Sequence, residues 1–129
     1  MKLTELEEAV LRTFLDGDHP VLAALRDHLA ACWVSDRYYT GVGFYTDLEM
    51  PPETRAAPID AGHIGDVTAQ IEGLDHGAGF ILFIADGRLS LLEGFSYGGD
   101  WPSVIGKFTV RYEREERDLS DLLQAPRRK

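Results

Sequence analysis

Residues 73–97 read GLDHGAGFILFIADGRLSLLEGFSY, two apolar runs that meet at Asp86-Gly87. An Asp-Gly pair set between apolar runs is the signature of a two-residue type I′ turn, because both central residues must take positive φ. The stretch therefore predicts a buried β-hairpin. Such a turn pairs Ala85 with Arg88, Leu82 with Leu91 and Phe80 with Glu93. Residues 80–85 are apolar at every position, which predicts an interior strand covered on both faces, with helices on one of them.

Outward from the hairpin the pattern alternates with period two. Val67, Ala69 and Ile71 alternate with polar neighbours and predict a strand with one wet face, after which residues 73–77 turn the chain. Phe108, Val110 and Tyr112 predict the last strand. Residues 34–50 are expected to form a strand in which Val42, Phe44 and Leu48 face one way while Tyr39, Gly41, Gly43 and Tyr45 face the other. The proline-bearing residues 51–62 read as a loop and as the expected mobile segment. Near the start, Thr4 and Glu7 form a capping box ahead of Leu6, Val10 and Phe14, predicting a helix over residues 4–15. Asp16-Gly17 ends it, and Pro20 opens a second helix carrying Val21, Leu22, Leu25 and Leu29. Residues 118–123 read as a short helix and 125–129 as a frayed basic end. The composite is α+β: an N-terminal two-helix hairpin packed on a mostly antiparallel sheet of about five strands, in a single domain over residues 1–129.

A chain of 129 residues can bury a core without disulfides or metal. Its formal net charge of −9 is uneven. Residues 1–110 hold 7 basic and 17 acidic side chains, against 6 and 5 in residues 111–129. An acidic body repels phosphate backbones and attracts cationic surfaces, so a basic protein partner is expected and nucleic acid is not. Cys32 is the sole cysteine, so no disulfide framework forms. No apolar run is long enough to span a membrane and no signal peptide is recognisable, so the expectation is a cytoplasmic protein that does not engage membranes.

Candidate sites follow from placement. In the register above, Glu93 shares a face with Leu82, Ile84, Leu89, Leu91 and Phe95, where an unpaired carboxyl would have a raised pKa. A position at the sheet margin is the alternative. Asp75 could orient His76 as a general base if residues 73–77 turn; a His that caps a backbone group fits the same turn. His63, Asp66, His76 and Glu93 are metal-ligand types, but their spacing is not diagnostic, and neither metal nor other cofactor is expected. Gly77-Ala78-Gly79 leads into a strand, unlike phosphate-binding loops that lead into a helix. Gly41 and Gly43, bracketed by Tyr39 and Tyr45, leave a flat strip suited to a partner, or to close internal packing. Trp101 either plugs the core end or anchors a partner. His19 reads as a helix-start residue, His28 as a helix-flank residue and Cys32 as an inert buried thiol.

The 73–97 run, with Trp101-Pro102, YTGVGFYTD at 39–47 and the opening LTELEEAVLRTFLDGDHPVLAALR, resembles a family of short acidic bacterial proteins. The likeness implies a single bacterial domain and brings no catalytic residues with it. More loosely, the chain looks like bacterial immunity proteins, which neutralise secreted toxins.

These readings converge on a non-enzymatic protein-binding module, immunity-like or regulatory in role, that uses Tyr39, Gly41, Gly43, Tyr45 and Trp101 on an acidic surface to hold a toxin or regulator. The alternative is a small-molecule-binding or hydrolase-like protein with a pocket around Glu93 and His76, with Asp75 as orienter. A homodimer joined through its sheet edge or aromatic loop is the third reading.

Overall fold

The computed structural model describes residues 1–117 and residue 119; the helix and basic end expected at 118–129 otherwise lie outside the described residues. Helix α1 (Glu5–Phe14) begins where the sequence places it. Thr4 accepts from the Glu7 amide at 3.1 Å and the Glu7 carboxylate accepts from the Thr4 amide at 2.8 Å, the reciprocal capping box. Helix α2 (Pro20–Ala31) has His19 as N-cap, its Nδ1 accepting from the Val21 amide at 3.1 Å, and Pro20 in the first turn. Both helices bury one face: Leu6, Val10, Leu11 and Phe14 from α1, and Val21, Leu22 and Leu25 from α2. His28 joins the buried set, with Nε2 donating to the Arg55 carbonyl at 2.7 Å, so it is a core residue rather than a flanking one.

Six strands follow, one more than the composition of apolar runs suggests. They are β1 (Trp33–Tyr39), β2 (Gly43–Glu49), β3 (Ala61–Ile71), β4 (Leu74–Ala85), β5 (Arg88–Ser96) and β6 (Phe108–Tyr112), in the order β1-β2-β5-β4-β3-β6 with every pair antiparallel. Residues 34–50 are thus a hairpin, not one strand: Gly41, at φ 92°, turns the chain, and the Thr40 amide donates to the Gly43 carbonyl. The turn after β3 is confined to Glu72-Gly73, and β4 is already paired from Leu74 onward.

The Asp86-Gly87 turn forms as predicted, with φ of 53° and 71° and Ala85 opposite Arg88. The register beyond it does not. Ile84 pairs with Leu89 but Phe83 pairs with Leu91, so Ser90 is an extra residue in a β-bulge, and everything further along β5 is displaced by one. Leu82 therefore meets Leu92, Ile81 meets Glu93 and Phe80 meets Gly94.

Both helices lie on one face of the sheet. Facing them are Phe44, Thr46 and Leu48 of β2, Ile64, Val67 and Ala69 of β3, Phe80, Leu82 and Ile84 of β4, and Leu89 and Leu92 of β5, all buried. The opposite face carries no helix among the described residues, contrary to the expectation that the central strand is covered on both sides; Ile81 and Phe83 are only half-buried there. The loop at 51–60 is pinned to the hairpin tip: the Ala57 amide donates to the Gly87 carbonyl, the Gly87 amide to Asp60, and Arg88 to the Thr54 carbonyl.

Two polar clamps join the layers. Glu7 is buried against β1 and β2, where Arg37 donates to it twice, Nε at 2.8 Å and Nη2 at 2.6 Å, and the Thr46 hydroxyl donates at 2.5 Å. Burial pushes the Glu7 carboxyl up, but Arg37, Thr46 and the Thr4 amide outweigh it and hold it below the usual carboxylate range. At the other end, Arg117 pairs with both carboxylate oxygens of Asp66, donates to the Phe14 and Asp16 carbonyls at the end of α1, and lies 4.4 Å from the centre of the Tyr112 ring. Burial raises the Tyr112 phenol, whose hydroxyl donates to the Thr13 carbonyl.

Candidate functional site

Strand pairing sets which residues share the helix-free face, because residues directly opposite in antiparallel strands point the same way. One row across the sheet runs Tyr38, Tyr45, Glu93, Ile81. A second runs Asp36, Asp47, Leu91, Phe83, His63, and Trp33 opposite Glu49 begins a third. The β1, β2 and β5 part of this face thus interleaves aromatic and apolar side chains with carboxylates. Tyr38 is 66% exposed, Trp33 41% and Tyr45 39%. The side-chain carboxylates of Asp47, Glu49 and Glu93 take part in no hydrogen bond or ion pair among the described residues, and that of Asp36 accepts only from the neighbouring Arg37 amide. Asp36 and Asp47 stand directly opposite one another, a like-charge cross-strand pair.

The five aromatic and glycine candidates divide. Tyr45 belongs to this exposed face. Tyr39 pairs with Phe44 across the hairpin, its ring centre 6.4 Å from that of Phe44, so it borders the core on the helix side. The turn at Gly41 shifts parity, and Tyr38 rather than Tyr39 accompanies Tyr45. Gly43 is a site of close backbone approach, but of β5: a Cβ there would lie 2.0 Å from the Gly94 carbonyl oxygen. The Gly41 carbonyl accepts from the Trp101 amide at 2.8 Å, and the Trp101 ring sits edge-on to Phe44 with centres 5.2 Å apart. Gly41 and Trp101 therefore fasten the residue 97–107 loop to the end of the sheet, the plug arrangement, while Gly43 lets β2 and β5 approach.

The Glu93 and His76 pair is not assembled. The Ser90 bulge moves Glu93 off the core face, leaving it half-buried between Tyr45 and Ile81. The reason for expecting a carboxyl stranded in the core is gone. His76 lies five positions before Ile81 on β4, roughly 16 Å along the strand at about 3.3 Å per residue. Asp75 and His76 are both exposed, no hydrogen bond joins them, and His76 packs beside Gly98. Asp66 is occupied by Arg117, and among the described residues no three His, Cys, Asp or Glu side chains converge. Cys32 is half-buried, and burial pushes its thiol up.

A cleft of about 380 Å³ lies at the β3 side of the helix-free face, walled by Ile81, Phe95, Tyr97, Asp66, Arg114 and Arg117. Gly79 makes room for its floor: a Cβ there would lie 2.5 Å from the Tyr97 hydroxyl and 2.8 Å from the Phe95 ring. Neither Glu93 nor His76 lines it.

No family model, curated protein or solved structure matches the chain. No described helix is long and apolar enough to cross a membrane. Within the candidate face, the sequence reading finds Tyr45 and passes over Trp33, Tyr38, Asp36, Asp47 and Glu49. The available signal was Thr40-Gly41, a turn pair that splits 33–49 into two strands and reverses the facing of residues 36–39, while the irregularity at Ser35 restores it for Trp33 and Val34.

Proposed function

We propose that this chain is a non-enzymatic protein-binding module whose partner is basic and docks on the helix-free face at β1, β2 and β5. The observation that carries the reading is the combination of exposed Trp33, Tyr38 and Tyr45 with carboxylates that have no cation among the described residues. Large aromatic side chains supply contact area at low entropic cost, and uncompensated charge speeds encounter with an oppositely charged surface. A second copy is a poor occupant, because a two-fold axis through this face would bring Asp36, Asp47 and Glu49 against carboxylates of the same sign. Phosphate backbones are repelled for the same reason. The reading extends to a cytoplasmic bacterial protein of an immunity-like or regulatory kind, with a basic toxin or regulator as partner, by analogy of size, charge and fold class.

Affinity capture from cell extract, followed by reconstitution with the purified captured protein, tests this. Binding should weaken with salt, fall at least about tenfold in Trp33→Ala, and be unchanged in Arg12→Ala on the outer face of α1. A partner indifferent to Trp33 and to salt would refute it.

A further inference from the structure

The row Tyr38, Tyr45, Glu93 has a chemistry more specific than negative charge. The three residues sit on adjacent strands β1, β2 and β5, directly opposite one another, so their Cα atoms span about 10 Å at the usual strand spacing. Two ring faces and one carboxylate fall within the reach of a single long side chain. Glu93 is half-buried, flanked by Tyr45 on one strand and Ile81 on the other, and has no partner among the described residues. A carboxylate partly withdrawn from water and set beside apolar and aromatic groups gains most from a cation that is itself weakly hydrated and planar. That description selects guanidinium over ammonium: it stacks on an aromatic ring and presents a fork of N–H donors to a carboxylate at the same time.

We propose that the helix-free face seats an arginine side chain of its basic partner across Tyr38, Tyr45 and Glu93, an inference that rests on the binding-module reading above. The neighbouring row supports the same occupant. Asp36 and Asp47 repel one another across β1 and β2, and no described cation relieves them. A second basic side chain from the same partner would remove that repulsion, so the partner presents at least two cations, one on each row. The bare cations on this face lie elsewhere: Arg111 is opposite Thr68, at the far side of the sheet on β6.

Hexa-arginine and hexa-lysine peptides titrated into the whole chain, followed by amide chemical shifts and calorimetry, test the seat. Hexa-arginine should shift amides of β1, β2 and β5 and bind at least about threefold more tightly than hexa-lysine. Glu93→Gln and Tyr45→Leu, both at solvent-accessible positions, should each weaken hexa-arginine by about tenfold and abolish the preference over lysine. Thermal unfolding of both variants checks that they are folded. Failure of hexa-arginine to bind, shifts spread over the acids of α1 and α2, equal affinity for the two peptides, or indifference to Glu93→Gln would each overturn the arginine seat. The binding-module reading fails on a different result, a reconstituted partner that ignores Trp33.

Discussion

Glu7 shows how one residue can hold two layers together. It caps its own helix, and it also accepts from Arg37 and Thr46 on the sheet, so a single carboxylate fixes where α1 starts and where it docks. Glu7→Gln leaves Arg37 without its counter-charge and should cost about 3 kcal/mol in urea unfolding. The pH dependence has a definite sign. The folded-state pKa lies below the unfolded value near 4.5, so the unfolded chain takes up a proton first as pH falls. Stability from this group is full above about 4.5 and is lost towards the folded pKa, at a limiting slope of about 1.4 kcal/mol per pH unit. Unfolding curves from neutral pH into acid should show this loss in the native chain and a smaller one in Glu7→Gln. The capping box was legible because it is local in sequence. The ion pair was not, since Arg37 is 30 residues away and its facing depends on the Gly41 turn.

Among the elements, those fixed by nearby residues are the ones that sequence predicts well. Both helices and the Asp86-Gly87 turn carry their own start and stop chemistry, and their observed bounds agree with it. The bulge at Ser90 has no such local sign, yet it decides that Glu93 looks away from the core. The same holds for Gly94, whose role appears only with β2 in place: a Cβ there would lie 2.3 Å from the Phe44 ring. Gly94→Ala should therefore cost about 2 kcal/mol through displacement of Phe44. Gly41→Ala meets open space, and its smaller cost of about 1 kcal/mol comes from φ at 92°. Chemical denaturation of the two variants separates steric from conformational cost, and the order Gly94 worse than Gly41 is the expected outcome.

For the whole molecule, the charge excess read from the sequence has a definite address. Part of it lies on the sheet face left bare by the helices, and composition alone could not say so because facing depends on two turns and a bulge. A like-charge pair without a cation among the described residues, maintained on a folded surface, implies competition between stability and binding. Asp47→Asn should raise stability by about 0.5 kcal/mol while weakening any basic partner, and paired melting and binding measurements check both signs. Moderate salt should likewise raise the melting temperature of the native chain as it screens repulsion within the acidic body.

The Arg117 clamp carries a consequence for biosynthesis. Its donors reach the Phe14 and Asp16 carbonyls, residues made roughly a hundred positions earlier, and Tyr112 reaches Thr13 in the same way. During translation α1 emerges well before β6 and waits, its C-terminal carbonyls without their final partners, until β6 and Arg117 have left the ribosome. Contacts this remote in sequence make folding late and cooperative rather than progressive. A nascent chain stopped ahead of Tyr112 is therefore the species on which chaperones would act, and these layers close only when β6 meets α1.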